Sequence, residues 1–168
     1  MKVTILGSGT SNGTPRIGGD WDHCDPNQPK NRRRRASIVV ETPNTRLLID
    51  TSPDLRDQAL DAGISDVDAV LYTHDHADHC HGIDDLRQVV RLRDRPMDVY
   101  GDWKTLDSLH IRFAYAFASK NPHHWPFLSA HELGDTVKIG DIDVELFIQE
   151  HGAGMTLGFR FGQFAYST

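Results

Sequence analysis

An α/β sandwich is the fold class this sequence predicts, and three observations predict it. Short apolar runs rich in β-branched residues alternate with stretches of helical period from residue 2 to about residue 117. From Leu133 onward the texture changes to strands and tight turns alone. The chain has 168 residues, of which 38% are hydrophobic and 25% charged, enough for one domain with a real core. The whole of 1–168 is therefore taken as a single domain.

Residues 2–7 read as a buried strand closed by Gly7. The stretch 7–31 is dense in Gly, Pro, Ser, Asn and Asp, and long loops of that kind in compact domains usually carry function. Its glycines could let backbone N–H groups approach a phosphate, or it is a plain surface loop. Arg32 to Arg35 lead into the next strand, Ser37 to Glu41. They are either a solvated charged edge or a set of bidentate donors for a phosphate. Pro43-Asn44 marks a turn, and Arg46 to Ile49 form the following strand. Ser52 and Pro53 suit the N-cap and first position of a helix that Gly63 stops, with Leu55, Ala59 and Leu60 on its apolar side.

Ala69 to Tyr72 is a buried strand. A helix over about 84–93 presents Leu86, Val89 and Val90, and Met97 to Tyr100 is a strand. One helix over about 103–117 carries a stripe of Leu106, Leu109, His110, Phe113 and Phe117, with His110 a core-edge residue rather than a ligand. Asn121 to Pro126 is a proline-bounded loop, a surface turn or a lid over a substrate. Val137 to Ile139 and Ile142 to Leu146 make a hairpin about Gly140-Asp141, and two strands close the chain, Met155 to Phe161 and Phe164 to Tyr166.

The formal net charge of −6 speaks against a general nucleic-acid binder, which needs a basic surface. No apolar run approaches the roughly 20 residues of a membrane span. Two cysteines, Cys24 and Cys80, suggest no disulfide framework, so a reducing, cytoplasmic setting is expected.

The chemistry concentrates directly after the strand that ends at Tyr72. Thr73-His74-Asp75-His76-Ala77-Asp78-His79 holds three imidazoles beside carboxylates. Neutral imidazole and carboxylate suit zinc, iron or manganese. His74 and His76, one residue apart, can point to one side of an extended edge and grip one ion. Asp78 and His79 lie further along the turn, placed to reach a second. Two adjacent ions can hold a hydroxide and clamp both oxygens of an in-line displacement. The alternative is a solvated polar loop with capping aspartates.

The string His74-x-His76-x-Asp78-His79 resembles the signature of the metallo-β-lactamase superfamily of metal hydrolases. Gly7 to Pro15, Asn31 to Arg35, Asp50 to Arg56 and His81 to Arg87 are similar to one branch of it, which includes phosphodiesterases of phosphoribosyl 1,2-cyclic phosphate. The resemblance implies an αββα sandwich and a phosphodiesterase acting on a cyclic or other small phosphodiester through a metal-bound hydroxide. It implies Asp50 as an anchor of the histidine loop from behind, a catalytic role for Asp78, and His151 as the third histidine of the first ion. It implies two ions, Zn2+ or Mn2+, in the complete protein. A strand such as Phe164 to Thr168 leads, in the family, into an aspartate that bridges both ions, and a further histidine follows. Neither is in these 168 residues, so the chain is expected to be incomplete in its C-terminal half and to keep ligands for one ion. The branch often binds a structural zinc near Trp21 to Cys24, but His23 and Cys24 alone cannot complete such a site, so none is expected there. No residue stands out as a general acid, and homodimerisation stays open. Three other functions fit the same residues: tRNA 3′-end processing, thioester hydrolysis, and a non-catalytic metal-binding module.

Overall fold

The structure is a computed structural model and describes residues 1–93, 95–118, 125–152 and 154–168. Six strands build the first sheet in the order β1 (Lys2–Gly7), β2 (Ser37–Glu41), β3 (Arg46–Ile49), β4 (Ala69–Leu71), β5 (Met97–Gly101) and β6 (Leu128–Glu132). The first three pair antiparallel, and β3 through β6 run parallel. Parallel neighbours need crossovers. Here the crossovers hold α1 (Leu55–Ala62), α2 (Ala77–Cys80), α3 (Leu86–Arg93), α4 (Trp103–Arg112) and α5 (Ala114–Phe117). The second sheet is wholly antiparallel, in the order β10 (Phe164–Tyr166), β9 (Gly154–Phe161), β8 (Ile142–His151) and β7 (Thr136–Ile139).

Strand alternation sorts the core into two layers. Val39, Leu48, Val70 and Val99 face the helices, packing with Leu55, Leu86, Leu106 and Leu109. Ile38, Val40, Leu47, Ile49, Ala69 and Leu71 face the second sheet, meeting Ile142, Val144, Leu157, Phe159 and Phe161. Both faces of the first sheet are therefore buried, which is why β2 to β4 are continuous apolar runs rather than alternating ones. The described residues thus supply helix, sheet and sheet, three of the four layers expected. No helix among them is long and apolar enough to cross a membrane.

Several local expectations are corrected. Among the described residues β1 is an edge strand paired only with β2, and Ile5 is 69% exposed, so it is not the buried strand its composition suggests. α1 begins at Leu55 and not at Pro53, because the Ser52 hydroxyl accepts the Asp54 N–H (3.1 Å) and closes a turn before the helix starts. Leu60 on that helix is exposed rather than core. The single helix expected over 103–117 breaks at Phe113, whose φ of −125° leaves the helical region and separates α4 from α5. β6 has no strong sequence signal, since Ser129, Ala130 and Glu132 have little strand preference. It exists because its backbone pairs with β5 at the sheet edge. The loop expected over 121–126 lies outside the described residues at 121–124.

Candidate metal centre

The site forms where β3 and β4 end, beneath the β8–β9 hairpin. Asp50 follows β3 at φ 62°, a left-handed conformation that few residues other than glycine, asparagine and aspartate adopt. That backbone turn aims its fully buried carboxylate at the next strand end. The carboxylate accepts three hydrogen bonds: from the Thr73 N–H (2.8 Å), from the Thr73 hydroxyl (2.8 Å) and from His79 Nδ1 (2.7 Å). Strain of this kind persists where the surroundings over-determine it, and here one acceptor organises the whole loop.

The ring tautomers follow from that acceptor. A carboxylate only accepts, so His79 carries its proton on Nδ1 and leaves Nε2 with a free lone pair. The Thr73 hydroxyl spends its proton on Asp50 and so accepts from His74 Nδ1 (2.9 Å), again leaving Nε2 free. His74 Nε2 is buried and has no hydrogen-bond partner among the described residues. A buried lone pair without a donor is costly, and a cation is the group that would satisfy it. Burial, followed by the neighbouring imidazoles His79, His76 and His151, pushes the His74 pKa down to about 3. The ring is neutral at physiological pH, the form a metal requires. Burial also pulls His79 down, but the Asp50 hydrogen bond and the charges of Asp50 and Asp78 outweigh it, so its pKa is raised.

The third imidazole arrives from the second sheet. The Leu157 N–H of β9 donates to the Thr73 carbonyl (2.9 Å) and ties the hairpin to the loop. His151, at the end of β8, then places its ring centroid 4.9 Å from that of His74 and 5.2 Å from that of His76. The His74 and His76 centroids are 4.5 Å apart. One ligand nitrogen of each of the three lies within 4.8 Å of the others. The donor set and the partnerless Nε2 fit a divalent ion. Beside this group His79 sits 4.2 Å from His74, centroid to centroid, and its free Nε2 is 3.2 Å from Asp78 Oδ2. Asp78 and His79 thus stand side by side next to the three imidazoles.

Gly82 locks the loop to the start of α1. The Thr51 N–H donates to the His79 carbonyl (2.8 Å) and the Gly82 N–H to the Thr51 carbonyl (2.9 Å). A Cβ on Gly82 would stand 2.0 Å from the Ser52 carbonyl oxygen, a backbone atom with no room to yield. Gly82→Ala is expected to destabilise the fold by about 1–3 kcal/mol, the usual range for overpacking. A lowered urea midpoint in equilibrium unfolding would show it, and an unchanged midpoint would refute it.

The first glycines of the N-terminal loop pack against the chain itself. The Gly9 N–H donates to the Arg34 carbonyl (2.7 Å), and a Cβ on Gly7 would meet the Arg35 carbonyl at 2.0 Å. These glycines admit the neighbouring backbone rather than a ligand. Arg35 pairs with Asp54 (2.9 Å) and Arg34 with Asp61 (2.7 Å), while Arg32 lies over the Trp21 ring. On α4 the His110 Nδ1 donates to the Leu106 carbonyl (2.7 Å) and the ring stacks on Phe117.

The profile of the Beta-lactamase superfamily domain matches residues 45–168. The chain belongs to the metallo-β-lactamase superfamily. It is 36% identical to a diphosphatase of the PhnP family, with a TM-score of 0.87 over 98% of this chain and 63% of that one. It is 40% identical over 172 residues to an octanoyltransferase of Porphyromonas gingivalis, matching 100% of this chain and 34% of that protein. It is 34% identical over 131 residues to a ribonuclease Z of Methanopyrus kandleri, matching 74% of this chain and 43% of that one. The superfamily chain therefore spans between a third and two-thirds of the length of these relatives. Most of the octanoyltransferase lies outside the matched segment.

The sequence pointed to His74, His76, Asp78, His79, His151 and Asp50, and the structure brings all six together. It also shows parts that the sequence did not single out. Thr73 relays Asp50 to His74, and two side chains of α4, Ser108 and Arg112, reach the loop from 33 and 37 residues away. No spacing rule connects residues that far apart.

Proposed function

We propose that this chain is the metal-binding core of a hydrolase acting on a cyclic or other small phosphodiester. The observation that carries the reading is the buried, partnerless Nε2 of His74, framed by His76 and His151. His74, His76 and His151 would hold the first ion, Zn2+ or Mn2+, and Asp78 with His79 would contribute to a second. Such an ion acts as a Lewis acid and lowers the pKa of water from 15.7 to about 7. The chain's own part is to hold His74 neutral and the imidazoles aimed. Asp50 fixes the His79 tautomer directly and the His74 tautomer through Thr73. The similarity to a diphosphatase supports a phosphorus-centred substrate.

The test is hydrolysis of bis-p-nitrophenyl phosphate by the chain with added Mn2+ or Zn2+. We expect metal-dependent turnover that His76→Ala lowers by at least about 100-fold, because even changes behind a ligand cost 10–100-fold. An unchanged rate in that variant would overturn the assignment. The similarity to a ribonuclease Z favours a second reading, an RNA phosphodiester. The net charge of −6 weighs against it. Cleavage of an oligoribonucleotide in preference to the small diester, with binding that weakens steeply as salt rises, would select it.

A further inference from the structure

We infer that Arg112 and Ser108 of α4 are positioning residues that set the shape of the histidine loop from outside it. The inference rests on the metal-centre reading above and extends it to a second support. Asp50 holds the loop from the buried side; α4 holds it from the open side.

Asp75 is the residue between His74 and His76, and three groups converge on it. The Ser108 hydroxyl donates to Asp75 Oδ2. Arg112 Nη1 donates to the Asp75 carbonyl and lies 3.6 Å from its Oδ2. The Cys80 thiol donates to the same carbonyl (3.2 Å). Arg112 then reaches on with Nη2 to Nε2 of His81, which accepts. His81 follows His79 by two residues and packs edge-on against Phe113 (5.8 Å), the residue after Arg112, while the guanidinium lies 5.4 Å from the same ring. One planar guanidinium therefore spans the two ends of the segment that carries His76, Asp78 and His79. Ser108 and Arg112 are four residues apart on one helix face, so a single rigid element presents both.

The chemistry of the side chain explains the choice. A guanidinium offers five donors in a fixed plane and can hold two acceptors at a set separation. An ammonium is a point donor and cannot. The Arg112 side chain is 32% exposed and that of Asp75 42% exposed, and ion pairs of that exposure add little to stability. What the brace controls is the spacing between Asp75 and His81. His74, His76, Asp78 and His79 lie between or beside them.

The experiment uses Co2+, whose visible absorption reports ligand geometry, titrated into the wild-type chain and into Arg112→Ala, Arg112→Lys and Ser108→Ala. Thermal midpoints are measured on the metal-free proteins. Arg112→Ala is expected to weaken Co2+ binding by about 10–100-fold and to change the visible spectrum, while its metal-free midpoint stays that of the wild type. Arg112→Lys is expected not to restore either, and Ser108→Ala to give a smaller loss in the same direction. Wild-type affinity and spectrum in Arg112→Ala would overturn the inference and leave the metal centre standing. So would full restoration by Arg112→Lys, or a loss of affinity matched by a fall in the metal-free midpoint. A wild-type chain that takes up no Co2+ would instead overturn the metal-centre reading, and this inference with it.

Discussion

Purified in the presence of zinc, the chain is expected to carry one tightly held ion, and the double variant His74→Ala/His76→Ala none. The first group of donors has three imidazoles from two separate elements, and three protein ligands with one open position is the arrangement of catalytic zinc sites. His74 contributes most to the contrast. Its ring is buried, its pKa is pushed down to about 3, and its lone pair has no other partner, so the site pays no cost of deprotonation at neutral pH. Asp78 and His79 supply two donors only, and His79 is held towards its protonated form by Asp50 and Asp78. The second ion is therefore expected to be weak and readily removed by dialysis. Elemental analysis checks both statements. Two tightly held ions, or one ion that survives in the double variant, would contradict the ligand assignment. No ion in the wild-type chain would mean that these residues do not build the site by themselves.

Asp50→Asn is expected to keep the fold and lose the chemistry, and Asp50→Ala to lose both. In Asp50→Ala the buried Thr73 N–H, the Thr73 hydroxyl and the His79 Nδ1–H all lose their acceptor at once. Each buried polar group left without its partner costs about 1–3 kcal/mol. Asparagine preserves volume, tolerates the φ of 62°, and keeps one oxygen for the Thr73 N–H. Its amide, however, puts a donor where Oδ2 stood. His79 Nδ1 must then accept, which moves the ring proton to Nε2 and blocks the atom facing Asp78. Turnover with added metal is expected to fall by about 10–100-fold, with a much smaller change in the urea midpoint than Asp50→Ala shows. Equal loss of stability in the two variants, or full activity in Asp50→Asn, would show that the carboxylate acts only as packing.

Much of this architecture is local and so legible in the chain. β2, β3 and β4 are buried on both faces, and their unbroken apolar runs announce it. The hairpin of β7 and β8 turns at Gly140-Asp141, as its dipeptide suggests, and α1 stops at Gly63 in the left-handed conformation. Legibility fails where pairing or solvent decides. β1 has the composition of a core strand and lies at an edge; β6 has no strand composition and is a strand; Phe113 interrupts a helix whose apolar stripe continues through it.

The sequence by itself determined that His74, His76, Asp78 and His79 share one short loop at a strand end, because residues that close cannot be far apart in space. It also determined that Asp50 and His151 end strands of their own. Only the tertiary structure decided that His151 meets His74 and His76. That encounter depends on the β8–β9 hairpin docking through Leu157 onto the Thr73 carbonyl, a contact between residues 84 positions apart. Only the tertiary structure decided, too, that Asp50 sets two imidazole tautomers and that Arg112 closes the loop from outside. A side chain's type limits what it can bond; which partner it bonds depends on how the sheets and helices pack, and no spacing along the chain encodes that.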